Sequence, residues 1–260
     1  MRRDNLFWGG VLILFGVLYL LQVQHVITNV FIYFWPLILI LIGSWMVANV
    51  FWRPTPAVGE TFSIALREAK SVSYRFNHGA AQIQIRGGAS AGKALEGASA
   101  VGMNVHSDLV GDRLEVRVET GPSMIPFIGP SGGLWQYQIT NEVPINLNIE
   151  AGASTFDVDL ADVSASRIVL KVGASTVNLT LPAHGVSHLD IDGGAASFNL
   201  RVPDGTAARI SSVDGFTAMT VDTERFPRLD SGLYQSPNFD SAPDRTEIDI
   251  RAGMGSVNVK

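Results

Sequence analysis

Cysteine is absent from the chain, which excludes disulfides, thiolate catalysis and zinc sites built on thiolates. Clustered basic charge is missing too. The net charge is −5, of which residues 1–52 hold +1 through Arg2, Arg3 and Asp4, leaving −6 for residues 53–260. A mildly acidic domain cannot neutralise phosphates, so nucleic acid is excluded as a partner. Soluble amphipathic helices are lacking beyond residue 53. Gly, Ser, Thr, Asn and Asp recur there instead, and they point to turns and strands.

What residues 1–52 have in place of charge is apolar bulk. Residues 6–21 read LFWGGVLILFGVLYLL. Extended through 22–24 they give a helix of about 28 Å at ~1.5 Å per residue, close to the hydrocarbon thickness of a bilayer. Residues 30–52 read VFIYFWPLILILIGSWMVANVFW, again without a charge. Two such runs joined by QVQHVITN predict an antiparallel pair of membrane helices, at about 6–24 and 30–52. Phe7, Trp8, Tyr19, Tyr33, Trp35 and Trp52 sit toward the ends of the runs, where aromatic rings favour the headgroup layer. No small-x-small site follows the first run, so it reads as an anchor and not as a cleaved signal. Arg2, Arg3 and Arg53 place both ends of the pair on the cytoplasmic side, and residues 53–260 with them.

The rest of the chain repeats. GASTFDVDL starts at Gly152, GASTVNLTL at Gly173, GAASFNLRV at Gly194 and GFTAMTVD at Gly215, each 21 residues after the last. GAAQIQI at Gly79 and GMGSVNV at Gly253 share the pattern. Four residues after each glycine stand Ile83, Phe156, Val177, Phe198, Met219 and Val257; six after stand Ile85, Val158, Leu179, Leu200, Val221 and Val259. Three before stand Phe76, Ile149, Leu170, Ile191, Ser212 and Ile250. Steps of two are the strand period, so each unit reads as strand, glycine bend, strand. A single unit cannot bury its apolar face, and stacking in chain order would line up Phe156, Val177, Phe198 and Met219 inside. The intervening Gln84, Asp157, Asn178, Asn199, Thr220 and Asn258 would form a polar ladder outside. Each glycine marks a corner where a positive φ or a crowded backbone excludes a β-carbon.

These readings divide the chain into two membrane helices within 1–53, a linker and first β segment over 54–69, and a β domain over 70–260. Residues 103–106 and 113–120 are expected to form a hairpin around a turn at 107–112. Irregular insertions are expected at about 121–134 and 223–245. The last strand, 256–259, is expected at an open end of the stack, guarded by Lys260 alone.

The helix pair, with its LFWGGVLILFGVLYLL and FWPLILILIG runs, resembles the LiaI/LiaF-type transmembrane region. The GAST-type strand repeats resemble the toast-rack β domain that often follows it. The resemblance implies a membrane helical hairpin plus an all-β, β-solenoid-like domain of the short-coil parallel β-helix kind. It also implies a bacterial envelope-stress protein, in some members a regulator of a sensor histidine kinase, and it carries over no catalytic residue, cofactor or metal.

Side chains that could carry chemistry have plainer readings. His184 and His188 have the i, i+4 spacing of helical zinc motifs, but Pro182 and Gly185 forbid the helix. His25, His78 and His106 are isolated. Asp157, Asp159, Asp162, Asp190 and Asp192 lack the calcium-solenoid nonapeptide and read as solvated outer carboxylates. Outer strand positions hold mostly Asn, Thr and Ser, without the carboxylate pairs of glycan-cleaving solenoids. The expectation is a non-enzymatic accessory or regulatory protein. Its expected partners are the bilayer, a sensor kinase or other envelope protein, and further copies of itself. A scaffold, or an adhesin-like glycan-binding module, is the alternative.

Overall fold

The computed structural model describes residues 3–24, 31, 34–40, 60–99, 103–120, 134–213 and 216–260. The chain divides into two compact units, residues 1–55 and 56–260. In the first, α1 runs Arg3–Val23, and residues 31 and 34–40 are helical as well. Phe15 of α1 meets Phe34 edge to face, with ring centroids 5.5 Å apart. Among the described residues no helix is long and apolar enough to cross a membrane. The turn at 25–30 and most of the second expected span, 41–52, lie outside the described residues.

The second unit is all β. Its strands are β1 (Glu60–Ala65), β2 (Ser71–His78), β3 (Gln82–Gly87), β4 (Lys93–Ser99), β5 (Met103–Val110) and β6 (Arg113–Thr120). Then come β7 (Leu134–Ile139), β8 (Ile145–Ala151), β9 (Thr155–Asp159), β10 (Ala165–Val172), β11 (Thr176–Thr180) and β12 (Val186–Arg201). Last are β13 (Ala207–Val213), β14 (Phe216–Val221), β15 (Arg228–Asp230), β16 (Leu233–Gln235) and β17 (Arg245–Val259). Each repeat supplies one strand on either side of its corner, and the long β12 and β17 run through the bend without a break. Successive units pair in parallel and in register, as identical alternation demands.

The rungs do not stack in chain order. On the side after the corner the register runs Trp135, Ile83, Phe156, Val177, Phe198, Val257, Met219. On the side before it the register runs Val116, Tyr74, Leu147, Ile168, Leu189, Ile248, Ile210. Both rows belong to one core, in which only Met219 is less than fully buried. The rung β6–β7 lies outside β2–β3, although it follows it in the chain. At the other end β17 slips between β12 and the rung β13–β14.

Two expectations therefore change. Met219 does not follow Phe198 in the column, because Val257 stands between them. Residues 256–259 are not an open end. They are paired on both flanks, and Lys260 itself donates to the Leu200 carbonyl while its own carbonyl accepts from Val202. The hairpin at 103–120 is present but tighter than expected: β5 runs on to Val110 and pairs antiparallel with β6, leaving Gly111, at φ 59°, to make the turn. Of the first insertion, residues 121–133 lie outside the described residues, while Leu134 already begins β7. The second insertion contains the short antiparallel pair β15–β16, which packs on β13.

Candidate functional site

The corners show which of the two reasons for glycine applies. Gly79, Gly152, Gly173, Gly194 and Gly253 all lack a positive φ. Crowding decides instead. A β-carbon on Gly152 would lie 2.9 Å from the Gly79 carbonyl oxygen, one on Gly173 2.8 Å from that of Gly152, and one on Gly253 2.9 Å from that of Gly194. Gly194 is slightly freer, at 3.3 Å from the Gly173 oxygen, and Gly79 meets nothing within 4 Å. Gly215 lies outside the described residues. The ladder continues round the bend, with the amides of Ala153, Ala174 and Ala195 each donating at 3.0 Å to the glycine carbonyl of the rung before. Where the bend turns amides away from that ladder, buried serines serve them. Ser154 Oγ accepts from the Ala81 amide and Ser175 Oγ from the Ser154 amide, both at 3.2 Å. The result is a shallow open groove along the corners, floored by Ala80, Ala153, Ala174 and Ala195 with Met254 at one side.

The inner columns follow the sequence. Ile83, Phe156, Val177, Phe198 and Val257 are buried, and Met219 is partly so. The outer polar ladder forms as well: Asn199 Nδ2 donates to Asn178 Oδ1 at 2.9 Å, and Gln136 Nε2 to Gln84 Oε1 at 3.0 Å. Such cross-strand pairs align units without adding to the core.

One interior group escaped the sequence reading. His78 continues the inward alternation of Val72, Tyr74 and Phe76, and it is buried. Its ring lies 5.3 Å from Trp135 and 6.4 Å from Phe76, and Tyr137 Oη is 3.3 Å from its Nε2. Burial pushes its pKa down to about 4, so the ring is neutral. Burial also raises Tyr74 and Tyr137 well above the ordinary phenol range. Tyr74 donates to the Ala94 carbonyl. Period-two alternation through residue 78 was the signal that could have placed this histidine.

The acidic candidates scatter. Asp157 lies 3.6 Å from Arg86 across the outer ladder, and Asp159 Oδ1 accepts from the Ala161 amide at 3.1 Å. Asp190 pairs with Arg167 and with His188. His184, in the loop before β12, sits 3.6 Å from Asp244.

A stack of parallel rungs with glycine corners, following an apolar helical unit, is the arrangement that the comparisons match. Residues 53–201 match the model for the N-terminal domain of toast_rack, DUF2154. The chain belongs to the toast-rack family. Residues 7–68 match the LiaF transmembrane domain, which makes this toast-rack protein membrane-associated. Among solved structures it is similar to a Clostridium sporogenes protein described as a "putative cell adhesion protein". The TM-score is 0.70 at 16% identity, covering 77% of this chain and 97% of that one. At that identity the likeness shows a shared fold. No curated protein matches the chain.

Proposed function

We propose that this toast-rack protein is a non-enzymatic accessory or regulatory component of the bacterial envelope stress response, acting through protein–protein contacts from a two-span membrane anchor. The observation that carries this reading is the order of the two matches, a LiaF transmembrane domain over 7–68 running into a toast-rack domain over 53–201. The helical unit offers Gly9, Gly10, Gly16, Gly43 and Ser44, small residues of the kind that let membrane helices approach closely. The β unit offers a long polar face and edge strands for a partner. The arginines at 2, 3 and 53 put this face in the cytoplasm, where a kinase output domain would meet it.

Deleting the gene and measuring the transcriptional response to a cell-wall antibiotic tests the role. An altered response is expected, and an unchanged one counts against it. Protease treatment of intact cells tests the side: residues 56–260 are expected to survive. A second reading, a surface scaffold or adhesin, is favoured only by the fold shared with the clostridial protein. Loss of the β domain on protease treatment would favour that reading over the first.

A further inference from the structure

The insertion of β17 beside β12 brings together side chains that lie 59 residues apart. His188 and Asp190 come from β12, Glu247 and Asp249 from β17. The register pairs His188 with Glu247 and Asp190 with Asp249. All four point outward from the middle of the sheet, away from the core.

We propose that His188, Asp190 and Asp249 form a binding site for a zinc-type divalent transition-metal ion. His188 Nε2 lies 3.2 Å from Asp190 Oδ1 and 3.5 Å from Asp249 Oδ2, and the ligating atoms all lie within 4.8 Å of one another. Bonds of about 2.0–2.1 Å at tetrahedral angles hold ligand atoms about 3.3 Å apart, close to both edges measured from His188. The other imidazole nitrogen, Nδ1, lies 3.7 Å from Glu247 Oε2. A carboxylate behind a histidine is the usual support of a metal-bound imidazole, because it fixes the tautomer that leaves the far nitrogen free to ligate. Glu247 is steadied in turn by Arg209, at 3.7 Å.

Donor chemistry selects the ion. One imidazole and two carboxylates suit zinc and its first-row neighbours, whereas calcium and magnesium favour oxygen alone and more of it. The three side chains are 16 to 39% exposed, which leaves an entry path and room for water to complete the coordination. Arg167 also pairs with Asp190, through its Oδ2. It leaves Oδ1 for the metal but lowers that oxygen's share of negative charge. The sheet supplies rigidity, since both strands are central and paired on each flank.

The test uses the full chain in detergent, stripped of metal and titrated with Zn²⁺ against a chromophoric chelator. One equivalent per chain is expected, undisturbed by excess Ca²⁺. His188→Gln and Asp249→Asn should each weaken uptake at least about 100-fold. Glu247→Gln should weaken it about 10-fold, in the range of lost outer-shell support. Arg167→Gln should strengthen it, and His184→Gln should leave it unchanged. Circular dichroism of each metal-free variant checks the fold, and the opposed effects of Glu247→Gln and Arg167→Gln keep the test decisive if His188→Gln unfolds. Failure of the native chain to take up stoichiometric Zn²⁺ would overturn the proposal and leave a histidine–carboxylate ion-pair network. Uptake that His188→Gln and Asp249→Asn leave unchanged would overturn it equally, placing the ion elsewhere.

Discussion

The middle of the β unit and its two ends are built from the same repeat but threaded differently. From β8 to β12 the rungs follow the chain, at 21 residues each, and β10–β11 touches both its sequence neighbours. At both ends the order is exchanged: β6–β7 lies outside β2–β3, and β17 lies inside β13–β14. Link length does not account for the exchange. In the middle, rungs are joined by short loops such as 160–164 and 181–185. The links that pass over a rung are as short, 140–144 from β7 to β8 across β2–β3 and 202–206 from β12 to β13 across β17, whereas the links that carry whole extra strands, β4–β5 and β15–β16, join rungs that are neighbours in the stack. Link length therefore does not set neighbourhood; the long links instead supply antiparallel strands that pair with the end rungs, where open edges would otherwise invite pairing with another chain.

The largest test of this difference is to stop the chain before Arg245. Were β17 a terminal rung, the rest would survive. Since it lies between β12 and β13–β14, β13–β16 lose the strand they dock on, and cooperative unfolding monitored by Trp fluorescence should give way to a partly folded, aggregating product. Next comes the core. Phe198→Ala, in the middle column, should cost about 3–5 kcal/mol, while Met219→Ala at the end, where burial is partial, should cost under about 2 kcal/mol. Denaturant melts of the two variants read the difference; equal losses would break the distinction.

The exchanged rung at the other end holds His78 against Trp135. Its folded pKa is depressed to about 4, against ~6.5 for a free imidazole. Between those values the unfolded chain binds a proton that the folded chain does not. Stability is therefore full above pH ~6.5 and falls as pH drops toward 4, by at most about 3 kcal/mol. His78→Phe should flatten that segment of the stability–pH curve. The smallest effect separates two corners: Gly173→Ala should destabilise by about 1–3 kcal/mol through its clash with the Gly152 carbonyl, whereas Gly79→Ala, with open space at its β-carbon, should be near neutral. Equal melting temperatures for these two variants would refute crowding as the reason for the corner glycines.

Much of this was legible in the sequence. The glycines at 152, 173 and 194 set the register, and the apolar steps at +4 and +6 fall on the core columns, with Met219 and Val221 buried only in part. Stacking order was not legible, because parallel rungs with the same alternation fit beside one another in any order; the pattern that says Val257 faces inward does not say which neighbour it meets. The same ambiguity hid the grouping on the outer face. His188 was weighed with His184, its neighbour in sequence, whereas its ring faces Glu247 and Asp249 from β17. Trp135 and Tyr137 were missed as a rung because Ser131, four residues before Trp135, stands where the repeat has its glycine.

The place of β17 also bears on how the protein is made. During synthesis β13 to β16 leave the ribosome before β17 does, yet their docking surface is β17. Until it arrives, β12 presents a sixteen-residue free edge with alternating Leu189, Ile191, Phe198 and Leu200, the kind of template that captures foreign strands. A nascent chain paused in this interval would be a natural client for a chaperone that shields strand edges.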